Sequence, residues 1–178
     1  MNSSLPEGYQ IEKVNRDRDR PYQRTKSIRP LLIEYMQLTY QEVYPDREDF
    51  DNLQETVNSY FSSSTPVWLV KKTSDGIENP TVGCLWMGTT RDRAIVSRAA
   101  QIFLLFVDPE HRRRGIGKAM MQVAEDWAVA RGDCQIGLQV FPNNQAALNL
   151  YRDRGYITQF FTMSKSLEEK QHDLDRSR

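Results

Sequence analysis

The sequence predicts an α/β fold in a single domain, and three observations carry that reading. Segments of strand-like and helix-like patterning follow one another in the order β-α-α-β-β-β-α-β-α-β. The 178 residues suit one domain with one sizeable core. An apolar run at 102–107 passes through a short turn directly into a basic, glycine-containing helix start. No internal repeat is present.

Residues 9–14 alternate as a first strand. Residues 16–20 alternate basic and acidic side chains and read as a loop. A long helix then runs to Val43, with Leu31, Leu32, Tyr35, Met36, Thr39 and Val43 on one side. Pro30 has no N–H to donate, so it must open or kink that helix. Pro45 and Asp46 end it. A second helix is expected over 50–61, with Leu53, Val57, Tyr60 and Phe61 as its stripe and Asp51 and Gln54 at capping-box spacing. Strands follow at 67–73 and 81–90, separated by a turn at Asp75 and Gly76, and a third ends at Val107. After the helix that begins near Gly115, an alternating stretch at 135–141 predicts another strand. A final helix precedes Gly155, and residues 156–165 read as one long strand or two very short ones. Residues 1–166 form the domain, and 167–178 are a charged, solvated tail.

The most informative segment is Arg112, Arg113, Arg114, Gly115, Ile116, Gly117, Lys118 and Ala119. It follows Asp108, Pro109, Glu110 and His111 and opens a helix in which Ile116, Met120, Val123 and Trp127 share a face. Unpaired N–H groups at a first helical turn, together with the helix dipole, favour an anion there. Gly115 and Gly117 remove side chains that would hold a diphosphate away from the backbone, and the arginines add charge. A solvated basic turn is the plain alternative. Two familiar phosphate loops are excluded. A Walker A loop needs glycine at Arg112 and Ser or Thr at Ala119, and a dinucleotide fingerprint needs a small residue at Met120.

The pattern Arg-x-x-Gly-x-Gly after Val107, Asp108 and Pro109 resembles the acyl-CoA-binding motif of the GNAT superfamily of N-acetyltransferases. A second segment, Asn144, Ala147, Leu150, Tyr151, Gly155 and Tyr156, is similar to that family's second signature and lies one helix and one strand downstream. Read as local structure alone, Asn144 suits an N-cap, Ala147 and Leu150 pack inward, and Gly155 is a left-handed helix stop. The resemblance implies a mixed, mostly antiparallel central sheet of six to seven strands with helices on both faces. It also implies direct transfer of an acetyl group from acetyl-CoA, the cosubstrate, to an amine bound beside it, with no metal.

The same resemblance assigns roles by position. Leu105, Phe106 and Val107 would lie along the pantetheine arm, with one amide near Leu105 or Phe106 facing the thioester oxygen. The amides of Arg112, Arg113, Arg114, Gly115, Ile116 and Gly117 would hold the diphosphate, and Lys118 could reach a phosphate or remain solvated. Asn144 would bond the arm unless its side chain is taken up in capping. Tyr151 would be the general acid, against the alternative of a packed helix tyrosine. A free amine has a pKa of about 10.4, so a proton must leave before attack. Some relatives carry a glutamate on the fourth strand, whereas residues 101–107 here hold no acid. Deprotonation then falls to water or to Glu34, Glu42 or Tyr40.

Acidic residues cluster where the family builds its amine cleft: Glu42, Asp46, Glu48, Asp49, Asp51 and Glu55 against Arg47 alone. Such a rim attracts a cationic small-molecule or peptidyl amine, although Asp49 and Asp51 also suit helix capping. Tyr40, Tyr44 and Phe50 either line a pocket or staple the helices. The short segment after Gly155 suggests an open cleft for a larger acceptor, in preference to completion by a second subunit; a homodimer rests on analogy only. Twenty-four basic and twenty-four acidic residues cancel, against a nucleic-acid partner. Cys84 and Cys134 lie far apart and suggest reduced thiols, not zinc. With no leader and no membrane-length apolar run, the economical reading is cytoplasmic, with no membrane partner. The rival from another class is a non-catalytic acyl-CoA sensor or interaction module.

Overall fold

Why the sheet splits at one end is written in the register of its strands. The structure, a computed structural model, describes residues 5–14, 28–46, 50, 52–73, 79–90 and 98–165. Five strands lie in sequence order: β1 (Tyr9–Val14), β2 (Val67–Lys72), β3 (Thr81–Thr90), β4 (Ala99–Val107) and β5 (Gln135–Leu138). The first four pair antiparallel, and β5 joins β4 in parallel. Helices α1 (Ile28–Val43) and α2 (Leu53–Tyr60) precede β2. Helix α3 (Ile116–Ala130) makes the crossover from β4 to β5, and α4 (Gln145–Arg152) follows β5.

Two apolar clusters sandwich the sheet. On one face Leu32, Tyr35 and Met36 of α1 and Leu53 and Val57 of α2 pack on Cys84, Trp86, Leu104 and Phe106. On the other, Ile116, Met120, Met121 and Ala124 of α3 pack on Val70, Leu85, Met87 and Ile102, with Tyr151 of α4. Strand β4 changes allegiance partway. Leu104 pairs with Trp86, but Ile102 already pairs with Met87, so Phe103 is an extra residue. That bulge turns Ala100 and Ile102 toward α3 and Leu104 and Phe106 toward α1, which unbroken alternation would not allow. Pairing with β5 also stops there, at Ile102 opposite Leu138. From Phe103 to Val107, β4 therefore has no strand on its β5 side among the described residues.

Several expectations are corrected. The strand expected over 135–141 ends at Leu138, because its partner has diverged. Among the described residues the sheet has five strands, not six or seven: residues 156–165 form no ladder, and Ile157, Phe160, Phe161 and Met163 stand 78% to 93% exposed. One side-chain bond, Gln135 Nε2 to Gln159 Oε1 at 3.0 Å, brings this segment to the start of β5. Helix α2 begins at Leu53 with Asn52 as a cap that makes no side-chain bond, and Asp51 of the expected capping box lies outside the described residues. Pro30 sits in the first turn of α1, where its missing N–H is not needed. The loop read at 16–20, the turn at Asp75 and Gly76, and the tail 167–178 also lie outside the described residues.

Helix α4 is tied to α3 by Arg154. Its Nε donates to Glu125 Oε1 at 2.8 Å and its Nη2 to Gln122 Oε1 at 2.9 Å, with a second bond to Glu125. This clamp holds Tyr151 against the core at the split end of the sheet.

Candidate functional site

At the end of β4 the chain makes a turn whose donors face outward. Asp108 N donates to Val82 O at 2.9 Å, and Asp108 Oδ1 accepts from Glu110 N at 2.9 Å, which fixes the short 3-10 turn Pro109–His111. Arg113 then adopts a left-handed conformation at φ 61°, and Gly115 another at φ 88°. Only the second is sterically easy for its residue type. From Arg113 to Lys118 the backbone N–H groups find no acceptor among the described residues; the next amide, Ala119 N, bonds Gly115 O at 3.0 Å. Six consecutive orphan donors at a helix start form a nest for an anion.

The two glycines serve different ends. A Cβ on Gly115 would meet nothing within 4 Å, so that position needs glycine for its backbone angle and leaves the approach open. A Cβ on Gly117 would lie 3.2 Å from Leu150 Cδ2, so that glycine also admits α4 against α3. Ile116 offers only its amide, since its side chain is buried.

The three arginines are not equivalent. The Arg112 guanidinium is engaged: Nε donates to Val107 O at 2.8 Å, Nη1 to Glu42 Oε2 at 3.1 Å, and Nη2 to Glu42 Oε1. Arg114 braces the turn, with Nη2 donating to Glu110 O at 3.2 Å and Nη1 to the Tyr9 hydroxyl at 3.3 Å. That hydroxyl also shares a 2.8 Å hydrogen bond with His111 Nδ1. Arg113 and Lys118 are exposed and make no hydrogen bond or ion pair among the described residues, so their charge is available to a ligand.

Beside the turn runs the open edge of β4. Phe106 stacks on Tyr35 at 4.5 Å and 16°, while Leu105 and Val107 are half-buried toward α3. Asn144 Oδ1 accepts from Ala147 N at 3.1 Å, so its oxygen caps α4 and only its Nδ2 remains to donate to a ligand. Tyr151 is 9% exposed, its hydroxyl has no partner among the described residues, and burial pushes its pKa up to about 12. It is a neutral phenol with a proton to give. Burial raises Tyr35 to about 12 as well, helped by nearby acidic groups. An unfolded tyrosine ionises near 10, so between pH 10 and 12 the unfolded chain holds fewer protons than the folded one. Stability is expected to be intact below pH 10 and to fall as the pH rises to 12. Melting curves across that range test this, and the Tyr151→Phe protein is expected to lose stability less steeply.

On the other side Tyr40, Tyr44 and Phe50, grouped from the sequence, are joined by Phe141, which was not. The end of α1 reaches across to the chain after β5: Tyr40 and Tyr44 meet the Phe141 ring edge-on at 5.6 Å and 5.5 Å, and Tyr40 lies 5.8 Å from Phe50. Of the candidate bases, Glu34 is solvent-exposed, Glu42 is paired with Arg112, and the Tyr40 ring belongs to this cluster. Tyr9, which holds His111 and Arg114 from 102 and 105 positions away, carried no signal beyond strand alternation. Asp46 and Glu55 are exposed; Arg47, Glu48, Asp49 and Asp51 lie outside the described residues. Among the described residues no group of three His, Cys, Asp or Glu side chains is placed to hold a metal ion. No helix there is long and apolar enough to cross a membrane.

Fold and turn together define a class: a mixed sheet split at one end, with an anion-receptive helix start at the split. The sequence profile of the Acetyltransferase (GNAT) family matches residues 27–156, and the chain belongs to that family. It is 32% identical over 99 residues to an uncharacterised N-acetyltransferase of Methanocaldococcus jannaschii, a match covering 50% of this chain and 42% of the relative. It is 34% identical over 62 residues to the ribosomal protein bS18-alanine N-acetyltransferase of Escherichia coli K12, covering 35% and 42%. The chain thus spans under half the length of these relatives. In fold it is similar to a protein of Clostridium acetobutylicum described as a predicted acetyltransferase and solved with acetyl-CoA, with a TM-score of 0.67 and 14% identity over 92% of this chain and 99% of that one.

Proposed function

We propose that this protein is an acetyl-CoA-dependent N-acetyltransferase that transfers the acetyl group directly to a primary amine, both substrates being bound together. The observation that carries the reading is the row of orphan amides from Arg113 to Lys118, opening α3 beside the free edge of β4 in a chain of this family. These donors suit a diphosphate, and Arg113 and Lys118 add unpaired charge. The open edge at Leu105, Phe106 and Val107 suits an extended amide-bearing arm, with Asn144 Nδ2 as a further donor. When bound, the coenzyme supplies the activated acetyl thioester. Tyr151 holds its proton through the working pH range and gives it from Oη to the departing sulfur. With no acid on β4, water takes the proton from the amine.

The acceptor is a cationic small-molecule or peptidyl amine, drawn by the acidic end of α1. The absence of a ladder over 156–165 leaves room for a larger acceptor. Thiol release from acetyl-CoA, measured against a panel of polyamines, aminoglycosides, lysine peptides and peptides with free N-termini, tests the reading. Turnover on at least one class is expected. Tight coenzyme binding with no turnover on any would replace the enzyme with a sensor.

A further inference from the structure

A non-glycine residue at φ 61° persists only where its surroundings hold it there, and Arg113 is such a residue. One oxygen holds the chain on both sides of it. Tyr9 Oη shares a 2.8 Å hydrogen bond with His111 Nδ1 and accepts from Arg114 Nη1 at 3.3 Å. A guanidinium can only donate, so the hydroxyl accepts from Arg114 and keeps its own proton to give to His111 Nδ1. The Tyr9 and His111 rings also meet edge-on at 5.7 Å and 84°. The second prong of Arg114, Nη2, donates to Glu110 O at 3.2 Å, so both prongs are spent inside the protein. With His111 fixed ahead of Arg113 and Arg114 fixed behind it, rotation of the backbone at Arg113 is opposed from both directions.

Tyr9 is itself well anchored. It pairs with Lys72 at the start of β1, and the neighbouring Gly8 O accepts from Thr73 N at 2.8 Å. Ile11, Val70, Gly83 and Val107 lie in register across the four antiparallel strands. Tyr9, two residues before Ile11, therefore stands at the end of the sheet where β4 hands over to the turn. Strand alternation puts it on the same face as Ile11, and both pack against the cluster beneath α3. The first strand thus reaches under the start of that helix.

From this geometry, and resting on the proposed function above, we infer that Tyr9 is a positioning residue for the coenzyme. Its hydroxyl staples His111 to Arg114 across the left-handed Arg113 and so aims the amides of 113–118 before the diphosphate arrives. A row of donors favours an anion most when it already points at one place and needs no ordering on binding. Tyr9 acts through the turn, not on the reacting atoms.

Calorimetric titration of coenzyme A into the wild type, Tyr9→Phe, Arg114→Lys and the double variant tests this, joined to kinetics on the amine that turns over. Phenylalanine keeps the ring against the cluster and removes only the staple. Tyr9→Phe is expected to bind coenzyme A about five- to tenfold more weakly, the scale of a hydrogen bond to a charged group. Its KM for acetyl-CoA is expected to rise by a similar factor, with kcat and the amine KM within about twofold of wild type. Lysine at 114 keeps the charge but not the fork, so Arg114→Lys is expected to lose a similar factor. The double variant is expected to fall within about twofold of the weaker single one, because each change undoes the same staple. Had Arg114 served the diphosphate by its charge, freeing its Nη1 from Tyr9 would leave binding as tight or tighter. Undiminished binding by Tyr9→Phe therefore overturns the inference, as do losses that multiply in the double variant. A fall in kcat as large as the rise in KM would mean general damage and overturns it too. A wild type that binds no coenzyme A overturns the reading of the turn itself, which is a separate failure.

Discussion

Tyr151→Phe is expected to lower kcat about a hundredfold, the lower end of what a positioned proton donor contributes, and to leave coenzyme affinity within about twofold. The substitution is clean on structural grounds. The ring is buried between α3 and α4, 6.0 Å from Tyr156, and phenylalanine keeps that contact. The lost hydroxyl bonds no described residue, so no protein partner is left unsatisfied. An unchanged melting temperature beside a collapsed kcat would assign the loss to chemistry. Full activity in the variant would mean that the thiolate leaves without help from Tyr151.

Gly115→Val is expected to weaken coenzyme A binding by at least a hundredfold and to destabilise the protein by about 2 kcal/mol. A β-branched side chain at φ 88° is strained by roughly 1–3 kcal/mol. No atom crowds the new Cβ, so the strain is relieved by the backbone rotating, not by a neighbour moving. That rotation re-aims the amides of 113–118, whose value to an anion depends on pointing at one place. Thermal melting should fall by several degrees, and titration with coenzyme A should show the larger effect. Gly115→Ala is the graded control, with less strain at the same angle. Unimpaired binding in the valine protein would remove the nest as the anion's site.

What the sequence disclosed and what it withheld divide along physical lines. Features set by local chemistry were readable: Pro30 in a first turn, the shared face of Ile116, Met120 and Val123, the cap at Asn144, and the left-handed stop at Gly155 with φ 87°. The turn before α3 was readable as a turn, because Asp108, Pro109 and Gly115 break the apolar run and suit a sharp change of direction. The bulge at Phe103 was not, since 102–107 is apolar on both faces and a shift of phase leaves no mark. Strand patterning at 139–141 and 156–165 misled because a ladder needs a neighbour, and the neighbour of the first bends away. That Arg112 binds Glu42 and that Tyr9 binds His111 depends on chain segments meeting across 70 and 102 residues, which no local spacing encodes.

The surplus residue in β4 is absorbed where it occurs, and the ladder with β3 resumes in step on either side of it. Deleting Phe103 would set Leu104 directly after Ile102, and Leu104 and Phe106 would keep the face they have now. What would go is the local bend and added twist at the point where pairing with β5 stops. One aromatic residue, remote from any proton transfer, thus gives the strand the kink beside which a visiting molecule can read its spine.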